Sequence, residues 1–129
     1  MLIEFSVITA FSLLFIASIF DVKSQKGDVP EIFLLTGIAT GLLFHIGYSI
    51  QAWSLNPLIW SLTVGLAFTA YGYFAYWRGM WGGADMLGIS VLGFSTPYFL
   101  GATGLMNLLV NTMMVGFVYA LGFGLIKGL

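Results

Sequence analysis

Long runs of apolar residues are the feature that most limits what this chain can fold into. The sequence of 129 residues is 60% hydrophobic and 7% charged, and its mean hydropathy is +1.02. A membrane core about 30 Å thick needs roughly 20 helical residues to cross it. We therefore predict an all-α, polytopic membrane helix bundle of about five transmembrane helices, forming a single domain over residues 1–129. The predicted spans are about 2–20, 32–50, 57–76, 85–96 and 105–126, with a turn at 101–104.

The composition excludes several classes of function. The chain has no cysteine, so it has no disulfide framework, no thiolate metal site and no cysteine nucleophile. Its four basic residues are too few and too scattered for a nucleic-acid surface. The first 20 residues have no basic segment and no small-residue cleavage site, so we expect this span to stay in the mature protein. We expect no cofactor and no bound metal ion.

A polar segment separates the first two spans. Pro30 suits the first turn of the second helix, where a missing N–H is tolerated. Asp28 and Glu31 lie where the positive end of a helix dipole favours acids. In the second span, Gly37 and Gly41 form a small-xxx-small pattern that lets another helix approach closely. We expect a short aqueous loop followed by a closely packed helix.

The basic residues predict the orientation of the bundle, because Lys and Arg stay preferentially on the cytoplasmic side. Five spans place the loops after the first and third spans on the same side as the C-terminus. All the basic residues fall on that side: Lys23, Lys26, Arg78 and Lys127. The N-terminus then lies outside. Asp21, at the end of the first span, and Asp85, at the start of the fourth, are both predicted at the cytoplasmic face of the cell membrane.

These two acids are candidates for function, because a charged side chain near hydrocarbon costs a few kcal/mol. Two carboxylates a few Å apart cannot both ionise cheaply, so one keeps its proton. Such a pair supports aspartyl hydrolysis: the ionised acid takes a proton from water, which attacks the peptide carbonyl, while the protonated acid stabilises the oxyanion. A helix dipole favours negative charge at the start of a helix, so we assign Asp85 as the base and Asp21 as the acid.

Glycines come directly before the second acid, in the sequence Gly82-Gly83-Ala84-Asp85. Glycine permits backbone conformations and close approaches that a Cβ would block. We expect Gly82 and Gly83 to leave room for an extended substrate beside Asp85.

Two motifs in this chain resemble those of the GxGD-type aspartyl peptidases, specifically the type IV prepilin and archaeal preflagellin peptidases. Residues 82–85 resemble the GxGD motif that opens the fourth helix in that family. Asp21-Val22-Lys23 followed by Val29-Pro30-Glu31 resembles the family motif after the first helix, D-x-[KR]-x-x-x-[IV]-P. The resemblance covers roughly residues 16–104. It implies a membrane endopeptidase with Asp21 and Asp85 as catalytic residues, and with these motif residues around the substrate: Lys23, Pro30, Gly82, Gly83 and Ala84.

The resemblance also implies a substrate and partners. The substrate is expected to be a prepilin- or preflagellin-type precursor, in which a short basic leader precedes an apolar helix. Asp28 and Glu31, beside the predicted site, would attract that leader electrostatically. Membrane lipid is the other expected partner.

The chain departs from the family pattern at several positions. Ala84 replaces the last glycine of GxGD, Leu87 stands where relatives often have a basic residue, and two extra residues separate Asp21 from the Val-Pro pair. The cysteine-rich segment of bifunctional relatives is absent, which argues against an N-methyltransferase activity. Full-length relatives usually have six or more spans, so we expect either a minimal protein or one that lacks its C-terminal part.

Each candidate residue also has a structural interpretation. Taken alone, Asp21 is more often a helix-end acid facing headgroup water, and Asp28 and Glu31 are more often helix-start acids. His45, in the middle of the second span, is predicted to be a hydrogen-bonded packing residue rather than a proton carrier.

Two other classes of function are compatible with the sequence. A small proton-coupled transporter would use Asp21, Asp85 and His45 along a conduction route. It requires polar residues stacked through the depth of the bilayer, whereas the Ser and Thr residues of the first and third spans are scattered along the sequence. A non-catalytic membrane assembly subunit would not need the acids at all.

Overall fold

The computed structural model describes residues 1–24, 31–107, 110, 111 and 114, and for residues 21–24 it describes the backbone only. All regular structure in these ranges is helical. Four helices follow one another: α1 over Leu2–Ser24, α2 over Glu31–Gln51, α3 over Asn56–Trp77 and α4 over Gly83–Ser95. A fifth helix, α5, covers residues 97–107 of the described chain.

Three of these helices are long and apolar enough to cross a membrane: Leu2–Phe20 of α1, all of α2 and all of α3. By length and composition they support a membrane protein and agree with the first three predicted spans. Helix α4 has only 13 residues, which at a rise of about 1.5 Å per residue is roughly 20 Å and shorter than a hydrocarbon core. A bundle of five full spans therefore stays a prediction.

Helices α1 and α4 run antiparallel. The hydroxyl of Ser6 donates a hydrogen bond to the carbonyl of Ser95 at 3.0 Å, which joins the start of α1 to the end of α4. Further along, the side chain of Leu14 lies beside Gly88. The end of α1 and the start of α4 therefore lie at the same end of the helix bundle, which we call the Asp85 end.

The other two long helices alternate in the same way, since α2 is antiparallel to α1 and α3 is antiparallel to α4. The contacts that set these directions are Leu2 with Gly47, Leu13 with Gly37, Ser61 with Phe94 and Gly72 with Met86. The start of α2 and the end of α3 thus also lie at the Asp85 end. The opposite end carries the turn between α2 and α3, with the exposed Trp53, and we call it the Trp53 end.

Large apolar side chains face outward in this bundle, and small residues face the interior. Phe15 and Leu43 are each 67% exposed, and Leu66 is 61% exposed. Most of the buried positions hold Ala, Gly or Ser, including Ala10, Ala17, Gly37, Gly41, Gly65, Ser61, Ser90 and Ser95. In lipid there is no hydrophobic force between helices, so they associate through small residues that permit close packing. The distribution is typical of a helix bundle in a membrane.

Glycines set the distance between α4 and its neighbours. A Cβ on Gly37 would lie 3.0 Å from a methyl group of Val91, and one on Gly41 would overlap the side chain of Ser95. The helix contact predicted from these two glycines is therefore confirmed, and the approaching helix is α4. On the other side of α4, Gly65 of α3 lies directly against the ring of Phe94.

Buried hydroxyl groups add hydrogen bonds at the same contacts. Ser61 donates to the carbonyl of Phe94 at 2.6 Å, and Thr69 donates to the hydroxyl of Ser90 at 3.0 Å. Interhelical bonds of this kind contribute about 0.6 kcal/mol each on average in a membrane. Together with the glycines, they fix the position of α4 against α2 and α3.

Two boundaries differ from the prediction. Helix α1 continues to Ser24, because no proline or glycine interrupts it, so Asp21 lies in the last helical turn rather than beyond the helix. The turn predicted at residues 101–104 is wrong: α4 ends at Ser95, and α5 begins at Pro97 and continues past Gly101, which adopts φ +62°. A proline ring cannot continue a helix but suits the first turn of the next one.

The chain divides into two compact units, Met1–Phe99 and Leu100–Leu129, and all contacts described here lie within the first unit. The predicted single domain over residues 1–129 stays a prediction. Most of the predicted fifth span lies outside the described residues.

The substitution Gly65→Ala is expected to destabilise the protein by about 1–3 kcal/mol, because the new Cβ would lie 2.5 Å from Cγ of Phe94. Gly47→Ala is the matched control, since its Cβ would make an ordinary contact with Leu2 at 3.6 Å. Thermal unfolding of both variants in detergent micelles, followed by circular dichroism, measures the difference. Equal midpoints for the two variants would show that the Gly65 contact does not limit the packing of α4.

Candidate active site

The connection between α3 and α4 positions the candidate acid. Helix α3 ends with Arg78 as its C-cap, and Gly79 follows with φ +72°, a conformation that favours glycine. The Gly79 N–H donates to the carbonyl of Tyr76 and the Met80 N–H donates to that of Ala75, both at 2.9 Å. These two bonds form a Schellman motif, which closes a helix and turns the chain away from its axis. Helix α4 can therefore start at Gly83, four residues after Gly79.

Asp85 lies in the first turn of α4, at the third helical position. Its Oδ2 accepts a hydrogen bond from the backbone N–H of Gly82 at 3.0 Å, and the Met86 N–H donates to the Gly82 carbonyl at 3.2 Å. An acid at this position satisfies one of the unpaired N–H groups at a helix start, and the helix dipole favours its negative charge. The side chain is otherwise exposed. Asp85 thus has a structural role as a cap and is also open to an approaching molecule.

The two glycines of the motif are not required by the backbone of the chain. Gly82 is extended, with φ −78° and ψ 167°, which any residue can adopt, and Gly83 is the first residue of α4. A Cβ on Gly83 would meet no atom within 4 Å, and one on Gly82 would meet only Oδ2 of Asp85, at 3.6 Å. The expectation that these glycines supply unusual conformations is therefore wrong. The space beside them is open, and room for a substrate stays a prediction.

Asp21 lies at the Asp85 end of the bundle as well. Its backbone belongs to the last turn of α1, and its side chain lies outside the described part of the chain. The contact between Leu14 and Gly88 provides a common reference level on α1 and α4. At a rise of about 1.5 Å per residue, Asp21 lies about 10 Å beyond this level along α1. Asp85 lies about 5 Å beyond it along α4, toward the same end of the bundle. The two backbone positions therefore differ in level by roughly one helical turn.

Apolar packing connects the helix segments that carry the two acids. Ala17, one turn before Asp21, belongs to a buried cluster against which Ala84 and Leu87 of α4 pack. Ala84 and Leu87, two of the departures from the family motif, are thus apolar contacts between α4 and its neighbours. The cluster includes residues of α1, α2 and α4, so these three helices pack together through it.

The remaining predicted site residues are only partly described. Glu31 is the first residue of α2, exposed and at the Asp85 end. The backbone of Lys23 lies in the last turn of α1. Asp28 and Pro30 lie outside the described residues, so their predicted roles stay predictions.

His45 is completely buried in α2. Its Nδ1 lies 2.8 Å from the carbonyl of Gly41, so Nδ1 carries the proton and donates it. The prediction of a hydrogen-bonded packing residue is confirmed for this nitrogen. The other nitrogen, Nε2, is buried and has no hydrogen-bond partner among the residues that the structure describes.

Two clefts in the described part of the chain lie at the Trp53 end, away from Asp85. One has a volume of about 310 Å³ and is lined mostly by apolar residues between Ile46 and Leu58. The other, about 240 Å³, is lined in part by Glu4, Tyr48 and Tyr98. Glu4 is exposed and forms an ion pair with the N-terminal amine at 3.4 Å. Asp85 is exposed at the start of α4 and lines neither of these clefts.

Sequence reasoning missed two features of this region. The first is Gly79, although a glycine just after the last apolar residues of a helix and a nearby Arg is a known helix-stop signal. The second is the burial of Ser61, Ser90 and Ser95, which could have been inferred from the small residues that recur at helical spacing around them.

The chain was compared with protein-family models, with curated proteins and with solved structures, and none of these comparisons found a match.

The substitution Asp85→Ala is expected to destabilise the protein by about 1 kcal/mol, because it leaves the Gly82 N–H without its acceptor. Asp85→Asn keeps an acceptor oxygen, so its unfolding temperature should be much closer to that of the parent protein. Thermal unfolding of the three proteins in one detergent compares them. If both variants unfold at the parent temperature, the bond to Gly82 does not support the helix start.

Proposed function

We propose that this protein is a membrane aspartyl endopeptidase that cleaves the short basic leader of prepilin- or preflagellin-like precursors. The observation that supports this proposal best is the antiparallel packing of α1 and α4, with Leu14 beside Gly88 and the apolar cluster around Ala17 and Ala84. This packing brings the helix ends that carry Asp21 and Asp85 to one end of the bundle. Acids on opposite ends could not share a substrate.

In the proposed mechanism, the two carboxylates share one proton. Asp85, at the start of α4, is the ionised acid and removes a proton from a water molecule, and the resulting hydroxide attacks the peptide carbonyl. Asp21, at the end of α1, is the protonated acid, donates a hydrogen bond to the oxyanion and supports protonation of the leaving amine. The roles follow from the helix dipoles, which favour negative charge at helix starts and disfavour it at helix ends.

The arrangement of the helices also supports the proposed orientation. Lys23, in the last turn of α1, and Arg78, after the last residue of α3, both lie at the Asp85 end. Basic residues favour the cytoplasmic side of a membrane, so we place the Asp85 end there. Glu31 lies at the same end, where it and Asp28 would attract the basic leader.

A small proton-coupled transporter is the second candidate, because the interior of the bundle holds more polar side chains than the sequence suggested. Buried polar groups extend from the middle of the bundle toward the Trp53 end: Ser90, Ser95, Ser61, Ser6, His45 and Ser49. Ser6, Ser61 and Ser90, however, already bond to carbonyl groups of the bundle, as expected for residues that hold helices together. We therefore prefer the peptidase.

Single-cysteine labelling tests whether the two acids share a membrane face, and the parent chain gives no background because it has no cysteine. Ser24→Cys, after Asp21, and Met80→Cys, before Asp85, should react with an impermeant maleimide from the same side of sealed vesicles. Ala52→Cys, exposed at the Trp53 end, should react only from the other side. Labelling of Ser24→Cys and Met80→Cys from opposite sides would rule out a shared site.

A cleavage assay tests the reaction itself. The protein is reconstituted in lipid vesicles with a precursor peptide that has a Lys/Arg-rich leader before an apolar helix. Asp21→Asn and Asp85→Asn should each abolish cleavage, because each removes one member of the pair and neither replacement can exchange a proton as a carboxyl group does. Product formation is followed by mass spectrometry.

The matched control for this assay is Glu4→Gln, which removes an acid at the Trp53 end and should leave cleavage unchanged. Circular dichroism shows that each variant is folded. Cleavage by the parent protein that persists in either Asp variant would contradict the peptidase proposal and would leave the acids with structural or transport roles.

A further inference from the structure

We propose that a water molecule is bound inside the bundle, between Nε2 of His45 and the hydroxyl of Ser95. This site lies where α2 and α4 cross, toward the Trp53 end, and it does not depend on the proposed peptidase activity. The proposal is based on two buried polar atoms, which are considered in turn.

The His45 ring is the first partner. It is 0% exposed, and the bond from Nδ1 to the Gly41 carbonyl leaves Nε2 as the acceptor nitrogen of the neutral ring. Within the described part of the chain, Nε2 is buried without a hydrogen-bond partner. An unsatisfied buried acceptor costs about 1–3 kcal/mol, and the surrounding lipid offers no donor.

The Ser95 hydroxyl is the second partner. Ser95 is 1% exposed, and its hydroxyl is also buried, with no hydrogen-bond partner in residues 1–24 or 31–107. The backbone carbonyl of Ser95 accepts a hydrogen bond from the hydroxyl of Ser6. The hydroxyl lies against Gly41, because a Cβ added there would overlap it. Gly41, which accepts the hydrogen bond from His45, thus also contacts Ser95, so both unpartnered atoms belong to side chains that lie against Gly41.

The surroundings suit one small protic molecule. Ser6, Ser61 and Thr96 are each at most 1% exposed, so the crossing is closed on the sides of α1 and α3 as well as by α2 and α4. Buried water typically makes two to four hydrogen bonds to polar groups that would otherwise be unpaired. Here a water molecule would donate to Nε2 of His45 and bond to the hydroxyl of Ser95, which can donate or accept.

Gly41 makes this site possible, since any larger residue would fill the place of the Ser95 side chain. The water would link α2 to α4 near the end of α4 and complement the direct bonds that α1 and α3 make to Ser95 and Phe94. All four helices would then be joined by polar contacts at a single level of the bundle.

Solid-state NMR of the protein in lipid bilayers tests the proposal, and His45 gives an unambiguous signal because it is the only histidine. With ¹⁵N-labelled histidine, we expect a neutral ring protonated at Nδ1, an Nε2 shift typical of a hydrogen-bonded acceptor, and magnetisation transfer from water to the ring at short mixing times. Ser95→Ala should lose most of that transfer. Ser61→Ala is the matched control, because Ser61 is equally buried but its hydroxyl is already bonded to Phe94.

Each outcome decides the question. Absence of water transfer in the parent protein would overturn the proposal, and so would transfer that is unchanged in Ser95→Ala. A hydrogen-bonded Nε2 without water transfer would show a direct bond from a side chain instead. If Ser95→Ala does not fold, the parent spectrum alone still separates a water-bound Nε2 from a directly bonded or unbonded one.

Discussion

The fold depends on how closely α4 approaches its neighbours, because lipid provides no hydrophobic driving force for the association of helices. Lipid tails are as apolar as the side chains they surround, so helices in a bilayer associate through close van der Waals packing and interhelical hydrogen bonds. In this protein, Gly37 and Gly41 of α2 and Gly65 of α3 leave the space that Val91, Ser95 and Phe94 of α4 occupy. The short helix α4 packs against α1, α2 and α3, and it carries Asp85 at its start. The position of the candidate site is therefore a consequence of glycine packing deeper in the bundle.

Much of the helical architecture could be predicted from the sequence, because the lengths of the long apolar runs match the thickness of the hydrocarbon core of a membrane. The small-xxx-small pattern at Gly37 also identified a real helix contact. The same spacing continues through His45 and Ser49, which are buried on the same face of α2, but a histidine and a serine do not look like packing residues in an isolated sequence. The fourth span was predicted to end at about residue 96, next to Pro97, and α4 does end there. The turn at residues 101–104 was predicted from two glycines, but α5 continues through them, since a proline ring is the stronger obstacle to a continuing helix.

The candidate site could be predicted to the level of helix ends. Counting spans placed Asp21 and Asp85 on one side, and the observed antiparallel helices agree with that placement. The distance between two side chains depends on helix register and rotation, which are set by contacts such as Leu14 with Gly88, and no local sequence pattern encodes these. The roles of the glycines were also indistinguishable in sequence. Gly79 adopts a left-handed conformation just after α3, while Gly82 and Gly83 have ordinary ones.

The hydrogen bond from the Gly82 N–H to Asp85 Oδ2 gives one exposed acid a structural role at the start of α4. A carboxylate is a strong acceptor for such a cap. A substitution at position 85 therefore alters the start of α4 as well as any chemistry at the exposed surface, so its effect on folding has to be separated from its effect on a reaction.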